Sequence, residues 1–244
     1  MESVELYGVR LDSIEESEFN DMINDWLTGN TQHIIFTPNP EFLLIAKSDA
    51  TFLDILNSAD LLLPDGVGLK LASVALLERR LIRRTGTDTL WQLAQNCAKQ
   101  DKSILLLGGE IERVAQRAGE VLKSRYPSLK VHAINPGSVS DARKLINMIN
   151  EIKPDVLALA LGQKKQEMAI AEILNELPSV RIAIGVGGAF DMISGSLPRA
   201  PKMMRQFGFE WLWRLYLEPK RWRRIYRAVI VFPTVVACDT LKQR

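Results

Sequence analysis

The residues of this 244-residue chain best suited to chemistry lie in four short polar segments, each following an apolar run. In Thr37-Pro38-Asn39-Pro40-Glu41, two prolines stiffen a corner that carries a hydroxyl, an amide and a carboxylate. Thr37 or Asn39 could hydrogen-bond a sugar or base there, and either would equally cap a following helix. In Leu63-Pro64-Asp65-Gly66-Val67-Gly68 the carboxylate of Asp65 sits where a general base or a sugar-hydroxyl ligand is wanted. A plain helix cap with a glycine turn fits the same letters. Arg79, Arg80, Arg83 and Arg84 follow, ahead of Gly86-Thr87-Asp88; their planar forks suit phosphate oxygens, although most such arginines end on a solvated face. Gly162-Gln163-Lys164-Lys165-Gln166-Glu167 offers amides that could read a uracil or a sugar. In Gly185-Val186-Gly187-Gly188-Ala189-Phe190-Asp191 the glycines would let backbone approach a diphosphate, or simply form a tight turn. Phe190 occupies the place of the third glycine of GxGxxG, and no GxxxxGK[ST] occurs, so neither a dinucleotide fingerprint nor a P-loop is present.

These segments need strands to carry them. Apolar runs at 4–7, 33–37, 61–63, 104–107, 130–133, 156–161 and 181–186 read as strands, and the stretches between them as helices. Among the helices, 41–56, 88–99 and 111–125 show apolar faces suited to core packing. The alternation predicts an α/β fold, a Rossmann-like, mainly parallel sheet flanked by helices, which places ligands at the carboxyl ends of its strands. Composition changes near residue 195, at SGSLPRAP, which divides the chain into an α/β domain (1–195) and a helical appendage (196–244). In the appendage Trp211, Leu212, Leu215, Trp222, Ile225, Tyr226, Val229 and Ile230 recur at helical spacing between arginines, interrupted at Glu218-Pro219. Two amphipathic helices are expected, either lying in a membrane interface or packed on the chain's own body.

With 47% hydrophobic and 25% charged residues, the chain is neither disordered nor collagen-like. Cys97 and Cys238 are far apart, and only His33 and His132 accompany them, which excludes a zinc cluster and fits a reducing cytoplasm. The acidic start lacks the pattern of a signal peptide, and the longest apolar run, Ala228–Cys238, has 11 residues including Pro233, too short to span a bilayer. Nine basic residues and two acids between Arg199 and Arg227 give that stretch +7, leaving −5 on the rest of a chain whose total is +2. Such polarity points to an anionic partner: nucleic acid, phosphorylated ligand or acidic membrane.

Taken in order, TPNPE, LPDGVG, RRTGTD, GQKKQE, GVGGAFD, SGSLPRAP and GFEWLWRLYLEPKRWRR resemble the WecG/TagA/CpsF family of bacterial glycosyltransferases, from about residue 4 to 227. One departure is Lys164, where the family's GxPKQE loop carries proline. The resemblance implies an inverting transfer of N-acetylmannosamine, or a related sugar, from a UDP donor to N-acetylglucosaminyl diphospho-undecaprenol. It implies a peripheral enzyme at the inner face of the cell membrane, building wall teichoic acid, common antigen or capsule. By the same resemblance Asp65 is the base with Thr37 beside it, and Gln166, Gly187, Gly188 and Asp191 belong to the UDP site. Arg214, Arg221 and Arg224 would close over the lipid diphosphate, and Arg83 would contact phosphate. Asn39 joins the substrate-binding candidates from its place in the TPN corner. With no DxD or histidine cluster near these loops, arginines rather than a divalent ion are expected to neutralise the diphosphate, without a cofactor. No nucleic-acid partner is expected, and a detached appendage exposing Trp211, Trp213 and Trp222 would favour self-association. Two rival readings are a nucleotide-dependent oxidoreductase, which lacks its glycine fingerprint, and a non-enzymatic binder led by the basic tail, in which Asp65 would be dispensable.

Overall fold

The computed structural model describes residues 1–109, 113–135, 142–201, 203–204 and 209–242. Six strands form one all-parallel sheet in the order β4-β3-β8-β7-β5-β6: β3 (His33–Phe36), β4 (Leu61–Leu62), β5 (Ser103–Gly108), β6 (Lys130–Ile134), β7 (Val156–Ala160) and β8 (Ile182–Gly185). Strands such as VLALA in β7 are apolar at every position because helices cover both faces. Successive residues feed opposite cores: Phe36, Leu105 and Leu157 pack with Phe42 and Phe52, while Ile35, Ile104 and Ala158 pack with Phe19, Leu90 and Phe190.

Two local expectations need correction, and a third falls partly outside the described residues. The run at 4–7 is not a strand of the main sheet: β1 (Glu2–Leu6) pairs antiparallel with β2 (Val9–Ser13) in a separate hairpin. Tyr7 and Gly8, with φ of 56° and 81°, make the two-residue turn whose twist suits antiparallel strands. The fully buried carboxylate of Asp12 then ties the hairpin to the sheet by accepting from Leu62 N at 2.8 Å. The single helix expected over 41–56 is two, Pro40–Ala46 and Ala50–Asn57. Asp49 interrupts it by capping the second helix, accepting from Phe52 N at 3.0 Å, and Phe42 still meets Phe52 across the break. The helix expected over 111–125 is described as Val114–Arg125, residues 111 and 112 lying outside the described set.

The C-terminal segment begins with helix Glu210–Leu217 and turns at Pro219–Arg221, the expected interruption. A second helical run then extends from Trp222–Tyr226 through a π-helical stretch, Arg227–Val231, into Phe232–Lys242. Pro233 lacks the N–H that would bond back one turn, which accounts for the widening just before it. The apolar run there is a packing face: Phe232 is 1% exposed and Val236 is also buried, in one core with Leu69 and Ala72 of helix Val67–Leu77.

Candidate active site

The polar segments converge at the carboxyl edge of the sheet. Asp65 N donates to Pro38 O at 2.8 Å and Arg84 N to Pro64 O at 3.0 Å, which laces the TPN and PDG loops to the arginine segment. The Asp65 carboxyl meets Arg83 Nε at 3.5 Å, and Arg83 Nη2 donates to Glu210 Oε2 at 2.6 Å. Burial in this crevice pushes the Asp65 pKa up to about 6, with Glu210 reinforcing the shift and Arg83 opposing it. About a third of the side chain, 32%, still reaches solvent, so a substrate can approach it. Thr37 is buried between β3 and β8; its hydroxyl donates weakly to Gly185 O at 3.4 Å and lies against the start of helix Gly86–Lys99. Asn39 Oδ1 is committed to capping helix Pro40–Ala46, accepting from Glu41 N at 2.9 Å and Phe42 N at 3.3 Å.

Gln166 works from beneath the glycine loop. Its Oε1 accepts from Gly187 N at 3.0 Å and its Nε2 donates to Glu167 Oε1 at 2.6 Å, so both polar ends are used within the protein. Glu167 is fully buried, and burial pushes its pKa up to about 7. Above this support Gly187 has φ of 54° and open space over its α-carbon, whereas a Cβ on Gly188 would lie 2.5 Å from Arg214 Nη2. The glycine at 188 is thus the seat of an arginine. Asp191 lies in helix Ala189–Ile193, its carbonyl accepting from Leu197 N at 2.9 Å. Lys164 has φ of 68°, which a proline ring forbids, and its ammonium pairs with Asp49. The loop here therefore differs from any that carries proline at this position.

The tail arginines are held by acids. Glu218 accepts from Arg214 Nε at 2.7 Å and pairs with Arg221 Nε at 2.6 Å. Arg224 Nε donates to the buried Glu41 Oε2 at 2.8 Å, and its Nη2 to Gln163. The structure thus brings Asp65 to Arg83, Gly188 to Arg214, Gln166 to Gly187, and Arg224 to the TPN and Gln163 loops. Sequence reasoning named Glu41 and Glu167 as members of their polar segments without giving either a partner, and did not assign Glu210 or Glu218 to this site; of these last two only Glu218, three and four residues from its arginines, has a local signal. A carboxylate of raised pKa beside one guanidinium, at a sheet edge to which further arginines are held, can accept a proton while arginines hold an anionic leaving group. Among the described residues no group of three His, Cys, Asp or Glu side chains is placed to hold a metal ion, and no helix is long and apolar enough to cross a membrane.

The family model described as the glycosyl transferase WecG/TagA/CpsF family matches residues 4–244. A Bacillus subtilis protein named N-acetylglucosaminyldiphosphoundecaprenol N-acetyl-beta-D-mannosaminyltransferase is 34% identical over 192 residues, 79% of this chain and 74% of its own. Proteins of the same name from Bacillus spizizenii and Staphylococcus aureus are 32% and 27% identical, covering 82% and 92% of this chain and 77% and 87% of their own. With the match reaching from the first hairpin to the final helix, this chain belongs to the WecG/TagA/CpsF family and is a glycosyltransferase.

Proposed function

We propose that this enzyme transfers N-acetylmannosamine, with inversion, from a UDP donor to the sugar of N-acetylglucosaminyl diphospho-undecaprenol in the making of a cell-surface polymer such as wall teichoic acid. The names of the relatives support this donor sugar and acceptor, and the observation that carries the mechanism is the Asp65 carboxyl, pushed up to about 6 at an arginine-lined edge. In this reading Asp65 removes the proton of the acceptor hydroxyl as that oxygen attacks the anomeric carbon. The bond from that carbon to UDP breaks, and its electron pair leaves on the diphosphate. Arg83, Arg214, Arg221 and Arg224 supply the positive charge that offsets it, a role a divalent ion plays elsewhere. Thr37 and the Gly187–Gly188 loop orient the substrates. The test is UDP release from a panel of UDP-sugars with a short-chain, water-soluble lipid diphosphate acceptor. Release with UDP-N-acetylmannosamine, undiminished by chelator, is expected. Release only with UDP-N-acetylmannosaminuronate or a UDP-hexose would change the donor, and chelator-sensitive turnover restored by magnesium would overturn metal independence.

We also propose that the enzyme works peripherally on the inner face of an anionic membrane. Trp222, Tyr226 and Ile230 form an exposed stripe at i, i+4 spacing, with the Arg223 guanidinium 5.4 Å from the Trp222 ring. Helix Val67–Leu77, which starts two residues after Asp65, packs beside the final helix and turns Leu71, 64% exposed, and Val74 outward. Two exposed apolar surfaces, one on helix Val67–Leu77 and one on the helical run that leads into its neighbour, with arginines along that run, suit insertion at headgroup depth. Trp222→Ser combined with Leu71→Ser is expected to weaken sedimentation with anionic vesicles about tenfold or more, since each buried side chain is worth about 1.5–3 kcal/mol. Turnover on the water-soluble acceptor should be retained; unchanged vesicle binding would refute this face.

A further inference from the structure

We infer that Glu210 is a positioning residue: it takes up the Arg83 guanidinium that would otherwise lie flat against Asp65, and so keeps the Asp65 carboxylate free to accept a proton. The inference rests on the reading of Asp65 as the base.

The geometry is a competition for one cation. A guanidinium beside a lone carboxylate closes into a two-bonded fork at about 2.7–2.9 Å. Arg83 does not do this with Asp65. Its short contact, 2.6 Å, goes to Glu210 Oε2, and its Nε stays 3.5 Å from Asp65 Oδ1. Among the described residues, Arg83 and Glu210 are the charged groups that act on Asp65, together with the Gly66 N–H. Asp65 and Glu210 are likewise the acids that act on Arg83. A cation fully engaged with a carboxylate lowers its proton affinity by about 1–3 pK units, which would make a poor base near neutral pH. Glu210 prevents this in two ways: it draws the cation aside, and its own charge disfavours a second negative charge nearby. Glu210 opens helix Glu210–Leu217 of the C-terminal segment, so the base is tuned only while that segment is docked. The segment then contributes to the chemistry itself, in addition to any role in holding lipid.

The experiment is the pH dependence of kcat/KM for wild type and Glu210→Gln, with Glu210→Asp as the charge-preserving control and thermal melts to confirm folding. The wild-type acid limb is expected near about 6. In Glu210→Gln, Arg83 turns to Asp65 and the acid limb moves down by about one pH unit, with a plateau several-fold lower because the base is weaker. Glu210→Asp should keep the limb near that of wild type. An acid limb unmoved in Glu210→Gln, whatever the plateau, would reduce Glu210 to a tether and overturn the inference. The Asp65 carboxyl ¹³C resonance, titrated in the full chain, reads the same shift without turnover. A midpoint lowered in Glu210→Gln supports the inference even if the reaction assigned above is wrong, and an unmoved one sinks it even if that reaction is right.

Discussion

Replacing Asp65 by asparagine is expected to lower turnover by about 100-fold or more while making the protein more stable. The loss follows from the proposed role of Asp65, since a general base is worth about 10²–10⁴ in rate. Asparagine keeps the shape, the backbone bond to Pro38 and room for Arg83, which retains Glu210, so the fold and nucleotide binding should survive. The gain in stability follows from the sign of the pKa shift. The folded carboxyl, at about 6, binds its proton more tightly than the unfolded one, with an ordinary value of 3.8. Ionising Asp65 therefore opposes folding: the penalty is absent below the unfolded value and complete above the folded one. Near neutral pH it is on the order of 1 kcal/mol, once the partial exposure of the side chain is allowed for. The melting temperature of Asp65→Asn should exceed that of wild type by roughly 2–4 °C at neutral pH, and the gap should close as pH falls toward 4. Full turnover in Asp65→Asn would remove Asp65 as the base, and a lower melting temperature at neutral pH would contradict the buried-charge account.

Phe232→Ala should produce the largest loss of stability. The ring is 1% exposed, meets Tyr7 edge-on at 6.1 Å between centroids, and lies against Gly68 just beyond the PDG loop. Deleting a buried phenylalanine costs about 3–5 kcal/mol from lost burial and the cavity left behind. In a chain of this size that is roughly 6–20 °C in melting temperature. Turnover should fall as well, because Phe232 anchors the helical run that carries Arg224 onto Glu41. Phe232→Leu should recover most of the stability. A Phe232→Ala protein melting like wild type would show that the final helix is not part of the core.

What could be read from the letters alone follows a physical divide. Strands buried on both faces are apolar at every position, so β4, β7 and β8 were evident, and with them the loops bearing Asp65, Gln166 and Gly187 at their carboxyl ends. Side-chain destinations were less evident. Gln166 points its amide at protein backbone, a choice made by Gly187 and Glu167 rather than by its own type. Glu210 and Glu41 find Arg83 and Arg224 across 127 and 183 positions, distances at which ion pairing leaves no local pattern. Asp49 ends one helix and starts another because its short carboxylate competes for backbone N–H groups, overriding a continuous apolar face. The last helical run buries Phe232 and Val236 yet turns Ile230, in its π-helical stretch, outward, so its apolar letters served two surfaces at once.

The strand order also governs how the molecule can be made. β3 has β4 on one side and β8 on the other, and β8 is the last strand to be synthesised. From Leu62 to Ile182 are 120 positions, during which a nascent chain holds β3 with one unpaired edge. At about 5–20 residues per second that interval lasts roughly 6–24 s. The seam that β8 closes is the one lined by Thr37 and the glycine loop, so the candidate site cannot form before β8 has been made, and until then the half-built sheet carries an open edge of the kind that invites wrong pairing.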